Sequence, residues 1–205
     1  MTVNVAVAAV PRIALFDGAG LAAWETTDGN PATWPVAGGS MESLGGNIRT
    51  RAKFGDFKLH GEWLEPTYPP EVTGQARGNS GFYLQERYEI QVLDSYGDTT
   101  PANNEAGAIY LKRAPDRNMA TAPNTWQTYD ITFRAARFSP TGTKLEDARV
   151  TVVWNGVVVH NNVAINSPTG NGQPEGSTPG SIALQDHGDP GANPRFRNIW
   201  IEPLS

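Results

Sequence analysis

The chain has 205 residues, carries a formal net charge of −5 with no basic run, and contains no cysteine. Disulfides and thiolate metal sites are therefore excluded, and a nucleic-acid role has little support. Gly 22 and Pro 16, with 39% hydrophobic and 9% aromatic residues, suit one large all-β domain with many turns, and no linker divides the chain.

Residues 1–12 read as an N-terminal arm leading into a domain over 13–205. Met1 to Val10 is apolar but lacks a basic n-region and is too short to span a membrane. It fits either the mature start of an exported protein or an ordinary arm. The expectation is the former, a secreted or periplasmic protein with no membrane span. Leu15-Phe16-Asp17-Gly18, with Leu21 and Trp24, reads as a strand and turn. Trp34 to Met41 reads as strand broken by glycines, and Asn47 to Thr50 follows Gly45-Gly46. In Phe57 to Leu64, alternation puts Phe57, Leu59 and Trp63 inward and Lys58, His60, Glu62 and Leu64 outward. Glu65 to Gly78 is a Pro- and Gly-bearing loop.

Asn79 to Asp94 reads as a hairpin turning near Glu86-Arg87. On strands, successive side chains point to opposite faces. Phe82 and Leu84 share one face with Tyr88, Ile90 and Val92 as core, while Asn79, Tyr83, Gln85, Glu89 and Gln91 make a polar face. A loop follows over Ser95 to Ala106. Gly107 to Leu111 reads as a short strand with Tyr110 and Lys112 on one side. Tyr129, Ile131 and Phe133 alternate. Asn155-Gly156 between two valine-rich runs is a primed hairpin turn. Residues 166–180 form a long loop without apolar pattern, a kind that is often functional. Ser181 to His187 reads as a strand with Ile182 and Leu184 in the core and Ser181, Gln185 and His187 opposite. Phe196 to Ile201 closes the chain. Trp63, Trp154 and Trp200 fall in apolar strand patterns and are expected in the core. Trp24, Trp34 and Trp126 lie near loops, where one of them is available to stack on a sugar. No amphipathic helix or repeat is evident, so a β-sandwich or jelly roll is expected.

Amides, phenols and a carboxylate converging on one face suit a sugar ligand. Glu89 is the candidate base and His187 the candidate proton-transfer residue, since an ordinary imidazole titrates near neutrality. Glu62, Asn79, Tyr83, Gln85, Gln91, Tyr110, Lys112 and Gln185 are the candidate substrate-binding residues. A retaining glycosidase needs two carboxyl groups about 5–5.5 Å apart. Leu93 stands four residues after Glu89 and Asp94 has the opposite parity, so the strand carries no such pair, although Glu62 remains available from elsewhere. No cofactor is required. Metal ligands are not identifiable, and a structural calcium held by loop oxygens stays open. The oligomeric state is not legible.

Taken together, Leu15-Phe16-Asp17-Gly18, Phe57 to Trp63, Asn79-Ser80-Gly81, Tyr88 to Asp94, Gly107 to Tyr110, Trp154-Asn155-Gly156, Ile182 to Gly188 and Phe196 to Ile199 resemble the 3-keto-disaccharide hydrolase domain family. The resemblance runs nearly end to end. It implies a concanavalin A-like jelly roll, export from a carbohydrate-degrading bacterium, and cleavage of glycosides carrying a ketone at the third sugar carbon. The family often has an arginine after the Glu-aromatic pair, where this chain has Leu64. Elimination at a keto-sugar needs one base rather than a carboxylate pair, which agrees with the residues. A lectin-like carbohydrate-binding module and a conventional endo-glycanase are the alternatives, because fold does not fix function.

Overall fold

The computed structural model describes residues 11–189 and 191–204, so all but the last two residues of the expected arm lie outside the described residues. The strands are β1 (Ile13–Phe16), β2 (Trp24–Thr26), β3 (Val36–Ala37), β4 (Ser40–Glu42), β5 (Ile48–Thr50), β6 (Phe57–Leu64), β7 (Ser80–Leu84) and β8 (Tyr88–Val92). They continue as β9 (Gln127–Arg134), β10 (Arg137–Phe138), β11 (Lys144–Glu146), β12 (Ala148–Trp154), β13 (Val157–Ile165), β14 (Ala183–Leu184) and β15 (Arg195–Pro203). The only helical element among the described residues is a 3₁₀ turn at Gly74–Ala76, and no helix is long and apolar enough to cross a membrane.

The fold is an all-β jelly-roll sandwich of antiparallel sheets. One sheet runs β13-β12-β9-β6-β15-β4-β3, with β1 also pairing β15; the second runs β2-β5-β14-β7-β8, and β10 and β11 pair as a separate two-stranded ribbon. Each sheet alternates between a core face and an outward face. From the eight-stranded sheet Phe57, Leu59, Trp63, Tyr129, Ile131, Phe133 and Trp154 point inward, and all are buried. The five-stranded sheet answers with Ile48, Phe82, Leu84, Tyr88, Ile90, Val92 and Leu184. The aromatic rings lock the two layers. Phe82 meets Tyr129 and Phe196 edge-on at centroid distances of 5.9 and 5.5 Å. Gly61 of β6 makes room for it: a Cβ there would lie 2.7 Å from the Phe82 ring.

Three local expectations need correction. Gly107 to Leu111 is no strand. Ile109 makes bridges to Ile90 and Arg113, and Leu111 turns the chain at φ 57°. Tyr110 and Lys112 therefore do not share a strand face. The run Ser181 to His187 is paired as strand only at Ala183–Leu184. Trp200 is not core. A register shift between Arg197 and Trp200 reverses the parity there, with Asn198 at φ 46°, so Phe196, Ile199 and Ile201 are all buried. Trp200 stacks outside on His60 at 5.2 Å, with the Arg12 guanidinium 3.9 Å from its ring. Trp24 and Trp34 are buried and available to no ligand.

Because Phe82 fills the space between the sheets, Phe82→Ala should cost about 3–5 kcal/mol, the usual range for truncating a buried aromatic. Urea unfolding would read this as a lower midpoint at unchanged slope.

Candidate active site

The polar residues gather on the outward face of the five-stranded sheet. Its register sets Glu25, Arg49, Ala183, Tyr83 and Glu89 side by side in one row across β2, β5, β14, β7 and β8. In the next row the Gln185 N–H donates to the Gly81 carbonyl, and Gly81 faces Gln91. Gly81 is what admits the Glu89 carboxylate: a Cβ at position 81 would lie 2.5 Å from Glu89 Oε1. Glu89 thus leans over a glycine between Tyr83 and Gln91, 2% exposed.

A cleft of about 240 Å³ opens over it, lined by Asn79, Tyr83, Glu89, Tyr110, Gln185 and His187, with Leu111, Gly170 and Asn171 at its edge. Burial pushes the Glu89 carboxyl up to about 7, against a hydrogen bond from the Tyr83 hydroxyl that pulls it down. Gln91 adds a second donor when its amide nitrogen faces Glu89 Oε1 at 2.9 Å and the Ser80 carbonyl at 3.0 Å, the orientation that avoids setting acceptor against acceptor. Burial and the neighbouring Glu89 push the Tyr83 and Tyr110 phenols up, so both remain neutral donors near pH 7. His187 stands at the exposed rim. Its Nδ1 lies 2.9 Å from Asp189 Oδ2, which orients the ring and leaves Nε2 for other contacts. The Asp186 carboxylate accepts from the Gly45 and Gly46 N–H groups at 2.9 and 2.7 Å and fixes the start of this segment.

Of the residues expected in the site, Asn79, Tyr83, Glu89, Tyr110, Gln185 and His187 meet in this cleft. Gln91 does not line it. It is fully buried beneath Glu89, hydrogen-bonded to that carboxylate and to the Ser80 carbonyl, so it positions rather than binds. Gln85 is excluded, because the strand ends at Leu84 and Gln85 enters the turn at φ 56°. Its amide donates to the Phe54 carbonyl and accepts from Arg87. Lys112 points away and donates to Ser167 Oγ at 2.7 Å. Glu62 lies on the outward face of the other sheet, across the sandwich. There it accepts from Arg197 Nε at 2.6 Å and Asn198 Nδ2 at 2.8 Å. Those bonds outweigh its burial and hold its carboxyl below the usual range. Leu64 is on that same outward face, so its difference from the family pattern does not touch the cleft. Glu89 is accordingly the only carboxylate lining this cleft among the described residues.

Sequence reasoning missed how the 166–180 loop is held. Arg87, nearly buried, donates to the carbonyls of Pro174 and Thr178. Thr169 Oγ1 accepts from the Glu89 N–H at 2.7 Å, and the Gln173 N–H donates to the Glu86 carbonyl. The loop so fixed delivers Gly170 and Asn171 to the cleft. Its length signalled function, but nothing local signalled Arg87 as its anchor. His160 is buried and structural: it contacts the Gly107 carbonyl and Arg113, and burial pushes its imidazole down to about 4. No grouping of three or more His, Asp or Glu able to hold a metal occurs among the described residues.

A model of the 3-keto-alpha-glucoside-1,2-lyase-like domain matches residues 11–202. The chain belongs to that family. The crystal structure of a candidate glycosyl hydrolase from Parabacteroides distasonis is 42% identical to this member, with a TM-score of 0.85, covering 94% of this chain and 84% of that one. A second such protein from the same organism is 22% identical, with a TM-score of 0.64 over 95% and 100% of the two chains. An alginate lyase in complex with an alginate trisaccharide shares the fold at 10% identity, TM-score 0.52, over 96% and 100%. No functionally curated protein matches this family member significantly. Family and relative together make it a carbohydrate-active protein.

The raised Glu89 carboxyl has a stability consequence. The fold favours its neutral form, so its contribution is full below about pH 4.5 and is lost as pH rises toward 7. Glu89→Gln keeps the shape and cannot ionise. It should be more stable than the parent at pH 8, by on the order of 3 kcal/mol, with the gap closing at pH 4. Denaturant titrations at the two pH values check this.

Proposed function

We propose that this protein cleaves 3-keto-glycosides by elimination followed by hydration, with Glu89 as base. The observation that carries the reading is a single buried carboxylate in a cleft whose other polar side chains are amides, phenols and one imidazole. A double-displacement glycosidase needs a second carboxyl group beside the first, and Glu62 is on the wrong sheet to supply it. The family description points the same way, since a 1,2-lyase breaks the glycosidic bond by forming a double bond between the first two sugar carbons.

The chemistry follows from the ketone. It makes the C2 hydrogen acidic, so Glu89 takes that proton and the C–H electron pair becomes an enolate on the C3 oxygen. Tyr83 and Tyr110 are phenol donors suited to that oxygen, in a site that withdraws its carboxylate from solvent. The enolate reforms the ketone and a C1=C2 double bond, and the C1–O bond breaks. The leaving oxygen takes a proton, for which His187 is placed at the open rim. Water then adds at C1 and a proton returns to C2, so glycoside and water become keto-sugar and alcohol. A base poised close to neutral pH combines a useful ionised fraction with adequate basicity. The reading needs no cofactor.

Turnover of a 3-keto-disaccharide with little action on its unoxidised parent is the expected result. Glu89→Gln and His187→Ala should each lose about 10²–10⁴-fold in rate. In deuterated water, deuterium should appear at C2 of the product beyond the non-enzymatic background. Equal turnover of the parent sugar would return the protein to conventional glycosidases. Sugar binding without turnover would make it a binding module.

As Glu89 must be ionised to accept the proton, kcat/KM should fall as pH drops below its titration, at or somewhat below about 7. Gln91→Leu removes a donor to the carboxylate and should move this acidic limb to higher pH. A pH–rate profile on the keto-disaccharide measures both.

A further inference from the structure

The Glu89 cleft does not end at Tyr83. A second recess of about 130 Å³ adjoins it and shares Tyr83, Asn171 and Gln185 as a common wall. Its origin is visible in the cross-sheet row. Between Arg49 and Tyr83 the row carries only Ala183, so the smallest side chain of the row sits between a guanidinium and a phenol. The gap this leaves is roofed by Glu86 and Gln173 and flanked by Asn47.

The wall groups are those that read hydroxyls. Asn47 has its amide oxygen occupied by the Asp186 N–H at 2.8 Å, which leaves its nitrogen to donate. Gln185 Oε1, in the wall between the two cavities, is buried and has no hydrogen-bond partner, a costly state that a small turn of the amide toward a ligand hydroxyl would relieve. Asn171 and Gln173 add further amides. Glu86 keeps one oxygen on Arg49 at 3.3 Å and can accept through the other. The Tyr83 ring supplies an apolar surface for a sugar face.

We propose that this recess is the subsite for the leaving sugar, and that it takes a single neutral hexose unit across the scissile bond. The reading rests on the Glu89 cleft being where the keto-sugar reacts. A neutral unit is favoured because the charges at the recess, Glu86 and Arg49, are already paired with each other. A single unit is favoured because the recess has about half the volume of the main cleft. The other neighbouring cavity, lined by Lys112, Arg113, Asp147 and Asn166 as well as Ile109, Val163 and Ile165, meets the Glu89 cleft only at Leu111 and shares none of the polar residues around the carboxylate.

The test compares two substrates. One is a 3-keto-disaccharide with a neutral second hexose; the other is a methyl 3-keto-glucoside, whose methanol leaving group is too small to reach the recess. Ala183→Leu fills the floor and Gln173→Ala removes an amide on a surface loop where folding is not at stake. Both should raise KM for the disaccharide, Ala183→Leu by tenfold or more, with kcat/KM for the methyl ketoside within about twofold of the parent; such selectivity is what loss of uniform binding at a remote subsite produces. Equal losses on both substrates would mean that the variants disturb Glu89, and would overturn the subsite. So would unchanged KM for the disaccharide in both variants. If the parent protein turns over neither ketoside, the elimination reading itself fails and the subsite falls with it. Tighter use of a ketoside with an acidic second sugar would reject the neutral preference.

Discussion

A carboxylate can leave water only where the fold gives it both room and hydrogen-bond donors. Glu89 obtains the room from Gly81, one strand away, and the donors from Tyr83 beside it and Gln91 beneath it. This arrangement depends on the register of β7 against β8, which places Tyr83 opposite Glu89 and Gly81 opposite Gln91. A shift of one residue would turn both sets into the core. The register is in turn held by the turn at Gln85 and Glu86, both in the left-handed region, and by Phe82, Leu84 and Ile90 in the sandwich interior. Arg87 then carries the constraint outward to the 166–180 loop. Core, turn, loop and carboxylate are therefore one connected device.

Two faces of the molecule look alike by composition and differ in chemistry. The outward face of the eight-stranded sheet holds His60, Glu62, Asp130, Arg197 and Asn198, with Trp126 and Trp200. Its polar atoms are committed to one another: Glu62 to Arg197 and Asn198, His60 to Asp130, and the Arg197 guanidinium to the Trp126 ring at 4.0 Å. Such half-exposed pairs contribute little to stability, and they tie these charged groups to one another. The cleft is the reverse. Glu89 is pushed toward protonation while Glu62 is held ionised, and Gln185 Oε1 stands without a partner. The cleft is set apart by a desolvated carboxylate without a cationic partner, more than by the mere gathering of polar residues.

That difference explains what was legible in the sequence. Alternation within one strand located Phe57–Leu64 to the residue and put Phe82, Leu84, Ile90, Val92, Ile182 and Leu184 in the core, where all are buried. Asn155-Gly156 announced its turn by its chemistry. Parity also set Glu89 with Tyr83, because the two strands are joined by a short turn and their pairing is local. But parity says which face of a strand a residue occupies and not which sheet the strand joins. Glu62 points outward as expected, from the other layer. Where a strand stops or bulges, parity fails altogether: Gln85 leaves for the turn, Leu111 reverses the chain between Tyr110 and Lys112, and the shift before Trp200 brings it to the surface. Arg87 was invisible because its partners are backbone carbonyls more than eighty residues away, at Pro174 and Thr178.

The one-carboxylate cleft and the chemistry proposed for it fit each other on energetic grounds. An unactivated glycoside obliges the protein to stabilise an oxocarbenium-like transition state, for which a second carboxylate beside the first is the usual means. Burying two carboxylates side by side is what this sheet avoids: the neighbours of Glu89 in its row and the next are a phenol, a glycine and an amide. With a ketone already at the third carbon, negative charge develops on a single oxygen, and neutral donors suffice to meet it. Desolvation then works for the reaction. It raises the basicity of Glu89 before substrate arrives and strengthens each phenol–enolate hydrogen bond afterwards. The same feature that costs the fold stability near neutral pH is thus the one on which the proposed removal of a proton from carbon would draw.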